Sequence, residues 1–205
     1  MSATPLRIAV AGLGTVGAEV VRILAADADL ITARAGRPIQ VTDVSARDRS
    51  RDRGIDLSPY TWHDDATAMA TNADVDLVVE LVGGADGPAH AVVRNGLAAG
   101  KDVVTANKAM LAKHGVALAA QAEDGGKTLA YEAAVAGGIP VVKALREGLA
   151  GNRVSGISGI LNGTCNYILT TMEATGREFD DVLAEAQSLG YAEADPSFDV
   201  DGIDT

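Results

Sequence analysis

Short apolar runs alternate with longer segments whose apolar residues recur every three or four positions. LRIAVAG (6–12) is almost unbroken in apolar residues, as in a parallel strand buried on both faces, and residues 15–30 then show helical spacing. The alternation predicts further strands over 38–45, 75–84, 101–107 and 128–135, and helices over 87–100 and 108–126. Strands that alternate with helices of this length predict βαβ units and an α/β fold with a doubly wound parallel sheet.

The pattern changes after the glycine pair at 137–138. It predicts a helix over 139–151, a glycine-interrupted strand over 153–163, and helices over 165–175 and 178–190. The chain then closes on YAEADPSFDVDGIDT (191–205), which holds five carboxylates and no basic residue. We therefore predict one domain over 1–131, followed by an α+β region of different organisation over 132–205.

The composition is that of a folded globular protein, with 47% apolar and 22% charged residues among 205. A net charge of −11 argues against a nucleic-acid partner, which would need a basic face. No apolar stretch reaches the roughly 20 residues of a membrane span, and no leader segment precedes the first strand. The single cysteine excludes an intramolecular disulfide. A cytoplasmic protein without a membrane partner is expected.

A G-x-G-x-x-G pattern joins the first strand to the first helix. Its members are Gly12, Leu13, Gly14, Thr15, Val16 and Gly17. In a Rossmann-type domain the first glycine permits a tight turn, the second admits the pyrophosphate, and the third lets helix and strand pack closely. Because a buried strand precedes the motif and an apolar-faced helix follows it, we predict a dinucleotide site here rather than a ligand-free turn.

The end of the second strand bears on the choice of cofactor. An acidic residue there would bind the ribose of NAD, whereas an arginine could hold the 2′-phosphate of NADP. Asp43 falls inside the strand, and Arg47 follows its end within a loop of mixed charge that could equally be solvated surface. The pattern favours NADP over NAD, with Arg47 as the phosphate ligand.

Two further strand ends carry candidate chemistry. ELVGG (80–84) and VVTANKAML (103–111) both reach the carboxyl edge of the predicted sheet, where doubly wound folds bind ligands. The second places Lys108 at the start of a helix, where the dipole disfavours a cation. A nearby anionic ligand or reacting group would account for this lysine, although a surface role stays open.

Six blocks in this order resemble the homoserine dehydrogenase family over nearly the whole chain. They are GLGTVG, ELVGG, VVTANKAMLAKHG, YEAAVAGGIPVVKALREGLAGN, GILNGTCNYIL and EAQSLGYAEADPSFDVDGIDT. The resemblance implies an oxidoreductase that interconverts L-aspartate 4-semialdehyde and L-homoserine with NAD(P), in threonine, methionine and isoleucine biosynthesis. It also implies that residues 132–205 are an incomplete substrate and dimerisation region, and that the full-length protein is a homodimer.

The resemblance also implies roles for particular residues. Lys108 would lie near both nicotinamide and substrate as the catalytic residue, and Glu193 would bind the substrate ammonium group. Asp199 and Asp204 match acidic positions of the same pocket. A monovalent cation, Na or K, would be held mainly by backbone carbonyls at four positions, namely Glu132, Val135, Gly137 and Ile139.

One family feature has no counterpart among the 205 residues. The family's proton-relay lysine follows the D-G-x-D block by four residues, whereas Asp204 is followed here by Thr205 alone. We therefore expect this chain by itself to bind nucleotide but to turn over homoserine poorly or not at all.

Other chemistries fit the sequence less well. Cys165 could suggest a thiohemiacetal mechanism, but it opens an apolar helix with no histidine nearby. The closing acidic stretch fails the EF-hand spacing, because Ser197 takes the first ligand position. Two alternatives stay open: another Rossmann oxidoreductase acting on an amino acid or semialdehyde, and a non-catalytic nucleotide-binding module.

Overall fold

The computed structural model describes residues 4–192 and 195–202. These residues divide into two compact units, one ending at Ala150 and the other beginning at Gly151. The domain boundary predicted after residue 131 stays a prediction, because compactness does not test which residues belong to the substrate region.

The first unit alternates strands and helices along the chain, as the apolar pattern predicts. Its strands are β1 Leu6–Ala11, β2 Ile39–Ser45, β3 Thr61–His63, β4 Leu77–Glu80, β5 Asp102–Thr105 and β6 Leu129–Ala130. Its helices are α1 Thr15–Ala26, α2 Ala28–Ala35, α3 Ala66–Ala70, α4 Pro88–Ala98, α5 Lys108–Asp124 and α6 Val141–Lys143. A 3₁₀ turn spans Glu132–Ala134, and a π-helical turn spans Ala144–Gly148.

All six strands form one parallel sheet in the order β3-β2-β1-β4-β5-β6. The chain winds outward in one direction from β1 to β3 and in the other from β4 to β6, which confirms the doubly wound fold. Ligands bind in such sheets at the carboxyl ends of the strands, where the order reverses. That point lies here between β1 and β4.

Both faces of the sheet are covered. On one face Ala9, Val78 and Val103 pack among residues of α3, α4 and α5. On the other, Ile8, Val10 and Val44 pack with Val21 of α1. Burying a side chain of this size contributes about 1.5–3 kcal/mol, so the two cores anchor the strands whose ends form the candidate site.

A β-bulge interrupts the pairing of β1 with β2. Ile8 is opposite Val41, but the next residue, Ala9, is opposite Asp43, so Thr42 is the extra residue. The bulge explains why Val41 and Val44, three positions apart, both pack into the core that contains α1. Asp43 consequently faces the opposite side of the sheet.

Several predicted elements differ from the observed ones. The helix predicted over 15–30 breaks at Asp27 (φ −107°, ψ 25°) and resumes as α2. The strand predicted over 128–135 reduces to β6, because Glu132–Ala134 turns into a 3₁₀ helix. Within the helix predicted over 139–151, only α6 is α-helical. β3 and α3 were not predicted, because both are short.

The second unit is helical where it has regular structure. It contains α7 Gly163–Thr175, α8 Phe179–Ser188 and α9 Ser197–Val200, and the first two pack through Ile168, Val182 and Ala186. The strand prediction for 153–163 is wrong for this structure, because residues 153–162 have no regular structure and residue 163 begins α7. The described part of the second unit contains no other strand with which this segment could pair.

Candidate functional site

The three glycines of the loop after β1 have different structural reasons to be glycine. Gly12 has φ +95°, and a Cβ there would lie 2.4 Å from the Leu81 carbonyl oxygen. A Cβ at Gly17 would lie 1.9 Å from the Gly12 carbonyl oxygen. These two therefore serve the turn and the close packing of helix on strand, as predicted.

Gly14 differs, because no atom of residues 4–192 or 195–202 lies within 4 Å of a Cβ built there. It is the N-cap of α1 with φ −74°, and no side chain caps the first-turn N–H groups. Thr15 and Val16 next to it are exposed. Open space above a helix N-terminus is what a pyrophosphate needs, so the loop fits a dinucleotide.

A cleft of about 370 Å³ adjoins this loop, bounded on one side by the start of α1 and on the other by residues 51–55. Arg53 fixes the second wall, because its guanidinium donates to the carbonyls of Leu13 (3.0 Å) and Arg51 (2.7 Å). Arg51 also lines the cleft and is exposed. Among the described residues its side chain has no hydrogen-bond or ion-pair partner. Sequence reasoning assigned no role to Arg51 or Arg53.

The predicted phosphate ligand, Arg47, is exposed and lies two positions beyond the end of β2, but it does not line this cleft. Asp43 is unsuited to bind a ribose. It is 3% exposed, and its Oδ1 pairs with His63 Nε2 at 2.6 Å and accepts from Asn72 at 3.1 Å. Hydrogen bonds from Ser50 lower the pKa of Asp48 below its ordinary value. That carboxylate is thus already held within its own turn.

A buried polar network joins the ends of β4 and β5. Glu80 is fully buried; its Oε1 accepts from the N–H groups of Val82 (2.8 Å) and Gly83 (3.1 Å), and its Oε2 accepts from the Thr105 hydroxyl (2.5 Å). The Thr105 oxygen in turn accepts from Asn107 N–H at 3.0 Å. These side chains lie within the motifs noted in the sequence, but no pattern assigned them contacts.

Asn107 closes the network and is the N-cap of α5. Its Oδ1 accepts from Met110 N–H at 3.0 Å as an N-cap, and its Nδ2 donates to the Gly84 carbonyl at 2.8 Å. Lys108, the predicted catalytic residue, is the first residue of α5 and is exposed. The lysine therefore lies at the carboxyl edge of the sheet, just beyond the end of β5, which is the strand next to β4.

The four predicted cation ligands lie on the irregular stretch after β6. Glu132 begins the 3₁₀ turn, Val135 ends it, and Ile139 is 64% exposed. The carbonyls of Glu132 and Ile139 each accept a backbone hydrogen bond, which leaves each oxygen one lone pair. Residues 4–192 and 195–202 contain no cluster of three His, Cys, Asp or Glu side chains suited to a metal. A carbonyl site is not tested by this, so it stays a prediction.

In the second unit, Asp199 is held by α7. Its Oδ1 accepts from Asn162 Nδ2 at 2.8 Å, and its carbonyl accepts from the Cys165 thiol at 3.2 Å. Cys165 therefore takes part in packing α9 on α7, in line with its predicted structural role. Glu193 and Asp204, the other predicted substrate ligands, lie outside the described residues.

Family profiles match most of the chain. The profile described as homoserine dehydrogenase, NAD binding domain, matches residues 12–132, and the one described as homoserine dehydrogenase matches residues 140–205. The chain belongs to the homoserine dehydrogenase family. Its resemblance to that family and the Rossmann-type fold are thereby confirmed.

Individual relatives support the same family membership. The homoserine dehydrogenase of Pseudomonas aeruginosa is 50% identical over 200 residues, which are 98% of this chain and 45% of the relative. The crystal structure of a homoserine dehydrogenase from Thiobacillus denitrificans has a TM-score of 0.84 at 46% identity, over 98% of this chain and 46% of the other. The chain thus spans about half the length of these members of the homoserine dehydrogenase family.

A more distant solved structure bears on the ligand. A hyperthermophilic archaeal homoserine dehydrogenase in complex with NADPH has a TM-score of 0.78 at 25% identity, over 98% of this chain and 66% of the other. The profile match over residues 12–132 shows that the family's NAD-binding domain is present here. No helix among the described residues combines the length and apolar character needed to cross a membrane.

Proposed function

We propose that the protein containing this chain is a homoserine dehydrogenase, which interconverts L-aspartate 4-semialdehyde and L-homoserine with NAD(P). The reaction serves threonine, methionine and isoleucine biosynthesis. The observation that carries the proposal is the family match across both parts of the chain. The empty space above Gly14, at an uncapped helix N-terminus, supports nucleotide binding.

The proposed chemistry needs charge of both signs around the substrate. A bound nicotinamide would supply the hydride acceptor for homoserine and the hydride donor for the aldehyde, while the reacting oxygen loses or gains one proton. Lys108 supplies positive charge for the alkoxide that develops on the reacting oxygen. Glu193 pairs with the substrate ammonium group, which must be neutralised when it leaves water. Asp199 and Asp204 complete the acidic side of the pocket.

The activity is tested with the intact protein. Purified protein is assayed for reduction of NADP and NAD with homoserine, serine, threonine and glutamate as substrates. Strong preference for homoserine is expected, whereas preference for another amino acid or semialdehyde would establish the alternative oxidoreductase. Lys108→Ala and Glu193→Gln should lower kcat/KM by about a hundredfold or more. Nucleotide binding without turnover of any of these substrates, unaffected by either substitution, would leave a non-catalytic nucleotide-binding module.

NADP is the proposed preferred cofactor. Asp43 is buried in other contacts, whereas Arg47, which follows the end of β2, and Arg51, which lines the cleft beside the glycine loop, are both exposed. Arg49 lies in the same loop as Arg47 and Arg51, and its guanidinium carbon is 5.8 Å from the ring centre of Trp62, the single tryptophan. The fluorescence of Trp62 can therefore report binding at this loop. Arg47→Ala and Arg51→Ala should each weaken NADP binding about tenfold while changing NAD binding little.

Arg37→Ala is the matched control, because Arg37 is also exposed but precedes β2 at the opposite edge of the sheet. Equal losses for NADP and NAD would argue against a 2′-phosphate site at these arginines. A loss with Arg37→Ala would indicate a general charge effect.

Three further properties belong to the proposal. A monovalent cation, Na or K, binds the carbonyls around residues 132–139; replacing the cation with a large organic one should reduce the activity of the intact protein.

The protein works in the cytoplasm as a homodimer, and light scattering can measure its oligomeric state. This chain by itself, spanning 45% of a full-length relative, binds nucleotide but turns over homoserine poorly. Turnover by the chain at an ordinary enzyme rate would contradict this expectation.

A further inference from the structure

Glu80 is a buried carboxylate whose contacts are all donors from the loops at the sheet edge. It ends β4 and is fully buried. Within the described part of the chain no basic side chain pairs with it, so two backbone N–H groups and one hydroxyl balance its desolvation. A buried carboxylate is costly unless its hydrogen bonds are made, so its position fixes those three donors and is fixed by them.

The donors belong to two loops that are far apart in sequence. Val82 and Gly83 lie in the turn after β4, where Gly83 and Gly84 have φ of +84° and +85°. Thr105 ends β5, and its hydroxyl also accepts from Asn107 N–H. The Asn107 side chain returns to the first loop by donating to the Gly84 carbonyl. The result is a closed ring of hydrogen bonds between the two loops.

This ring lies between the glycine loop and Lys108. On one side, Leu81 follows Glu80 directly, and its N–H donates to Ala11 at 2.7 Å beside the glycine loop. On the other side, Asn107 caps α5, whose first residue is Lys108. A displacement of the Glu80 carboxylate would therefore be transmitted to the backbone that carries the lysine.

We propose that Glu80 is a positioning residue for Lys108: its buried carboxylate holds the turn after β4 and, through Thr105 and Asn107, the start of α5. Glu80 does not touch substrate or cofactor in this role. The inference rests on the proposed function, because it concerns the placement of the lysine used in that reaction.

Glu80→Gln is the main test, because it preserves shape while removing the charge. The carboxamide oxygen can still accept from Val82 and Gly83, but its NH₂ group then faces the Thr105 oxygen. The Thr105 hydroxyl loses its acceptor, and its contact with Asn107 weakens. In the intact protein, kcat for homoserine should fall between about tenfold and a hundredfold, while the NADP Kd stays within about threefold.

Asp43→Asn provides the matched control. Asp43 is also a buried carboxylate, with two hydrogen-bond partners, but it lies on β2 away from the ring. Its replacement should lower the melting temperature without lowering kcat per folded molecule. Equal kcat losses in both variants would mean that general destabilisation explains the effect, and would overturn the proposal.

A double-mutant cycle separates positioning from independent action. If Glu80 acts through Lys108, the variant combining Glu80→Gln with Lys108→Ala should be no slower than Lys108→Ala alone. Additive losses would contradict the proposal, as would an unchanged kcat in folded Glu80→Gln.

Thr105 offers a second route should Glu80→Gln fail to fold. Thr105→Val removes the hydroxyl at constant shape and should lower kcat, while Thr105→Ser retains the hydroxyl and should restore it. Equal rates for the two variants would refute the ring.

Amide hydrogen exchange gives a readout independent of catalysis. Glu80→Gln should speed exchange at Asn107, whose N–H donates to the Thr105 hydroxyl oxygen, and unchanged exchange there would overturn the positioning role. Wild-type protein that fails to oxidise homoserine would instead refute the proposed function, and the exchange result would then decide the ring alone.

Discussion

At the scale of single residues, the glycine motif separates into positions that build the loop and one that leaves room. Gly12 and Gly17 must be glycine because a Cβ at either would collide with neighbouring backbone, whereas no described residue occupies the space above Gly14. A pattern of letters does not distinguish these reasons. The distances from a hypothetical Cβ to its neighbours do.

Alanine substitutions should therefore give opposite results within the motif. Gly14→Ala should fold with a nearly unchanged melting temperature but bind NADP about tenfold or more weakly, because its methyl group occupies the pyrophosphate space. Gly17→Ala should destabilise the protein, since the new methyl group collides with Gly12. Thermal unfolding and fluorescence titration measure both, with exposed Gly151→Ala as control. Wild-type affinity in Gly14→Ala would refute the assignment.

A histidine pair near the turn after β4 should make stability depend on pH. The rings of His90 and His114 stack with centroids 4.2 Å apart, and Asp86 pairs with both His114 and Lys113. Burial, then repulsion from His114 and Arg94, lowers the pKa of His90 below 6.5, with Lys113 adding to this and Asp86 opposing it. His90 therefore takes up its proton less readily in the folded state than in the unfolded state.

Stability should consequently fall as pH drops through this range. Above pH 6.5 His90 is neutral in both states, and below it the unfolded chain binds the proton first. The free energy of unfolding should decrease as the pH falls below 6.5. Urea titrations of wild type and His90→Phe, which keeps a ring, measure the effect. An identical pH slope in both proteins would contradict it.

At the scale of elements, helices of both units begin with the same device. Asn107 caps α5 and Asn162 caps α7, each through its side-chain oxygen, and each side-chain NH₂ group reaches a second segment. The caps thus hold neighbouring loops as well as helix ends. Such residues are poor candidates for substitution even where a helix would tolerate the loss of its cap.

Asn107→Ala should cost more than an ordinary cap. Loss of the cap alone costs about 1 kcal/mol, and the broken link to Gly84 adds about 1 kcal/mol. Asp65→Ala is the comparison, because Asp65 caps α3 through Thr67 N–H without a second link from that cap. Urea unfolding should show the larger loss for Asn107→Ala, and equal losses would contradict the double role.

The elements also show what the sequence could predict. β1, β2, α4 and α5 follow from the spacing of their apolar residues, and the glycine loop follows from its motif. β3 was missed because three residues give no periodicity. The Glu80 ring was missed because its contacts join residues 25 positions apart. Arg53 was missed because its role depends on a carbonyl 40 positions away.

At the scale of the whole molecule, one exposed apolar segment stands out in the second unit. Ile157, Ile160 and Leu161 are 67%, 76% and 69% exposed in a stretch without regular structure. The apolar pattern there is typical of a strand, and strands need partners. Because the relatives are about twice as long as this chain, we expect the segment to pair in a protein of that length.

Hydrogen exchange can test this expectation. Amides of residues 153–161 should exchange quickly in the 205-residue chain and at least about a hundredfold more slowly in a protein of the relatives' length, because ladder hydrogen bonds protect them. The amides of β4 provide the control and should be protected in both. Fast exchange of 153–161 in both proteins would refute the pairing.

The extra residue Thr42 has a consequence for how relatives of this chain should be aligned. Because the bulge absorbs one residue, Val41 and Val44 share a sheet face although they are an odd number of positions apart. A relative lacking one residue between Gln40 and Asp43 would regain regular alternation and still present the equivalents of Asp43 and Val44 to the same faces. A one-residue gap here therefore leaves the side chains after it on the same faces of the sheet. The same gap within β1 would move the side chains that follow it to the opposite faces.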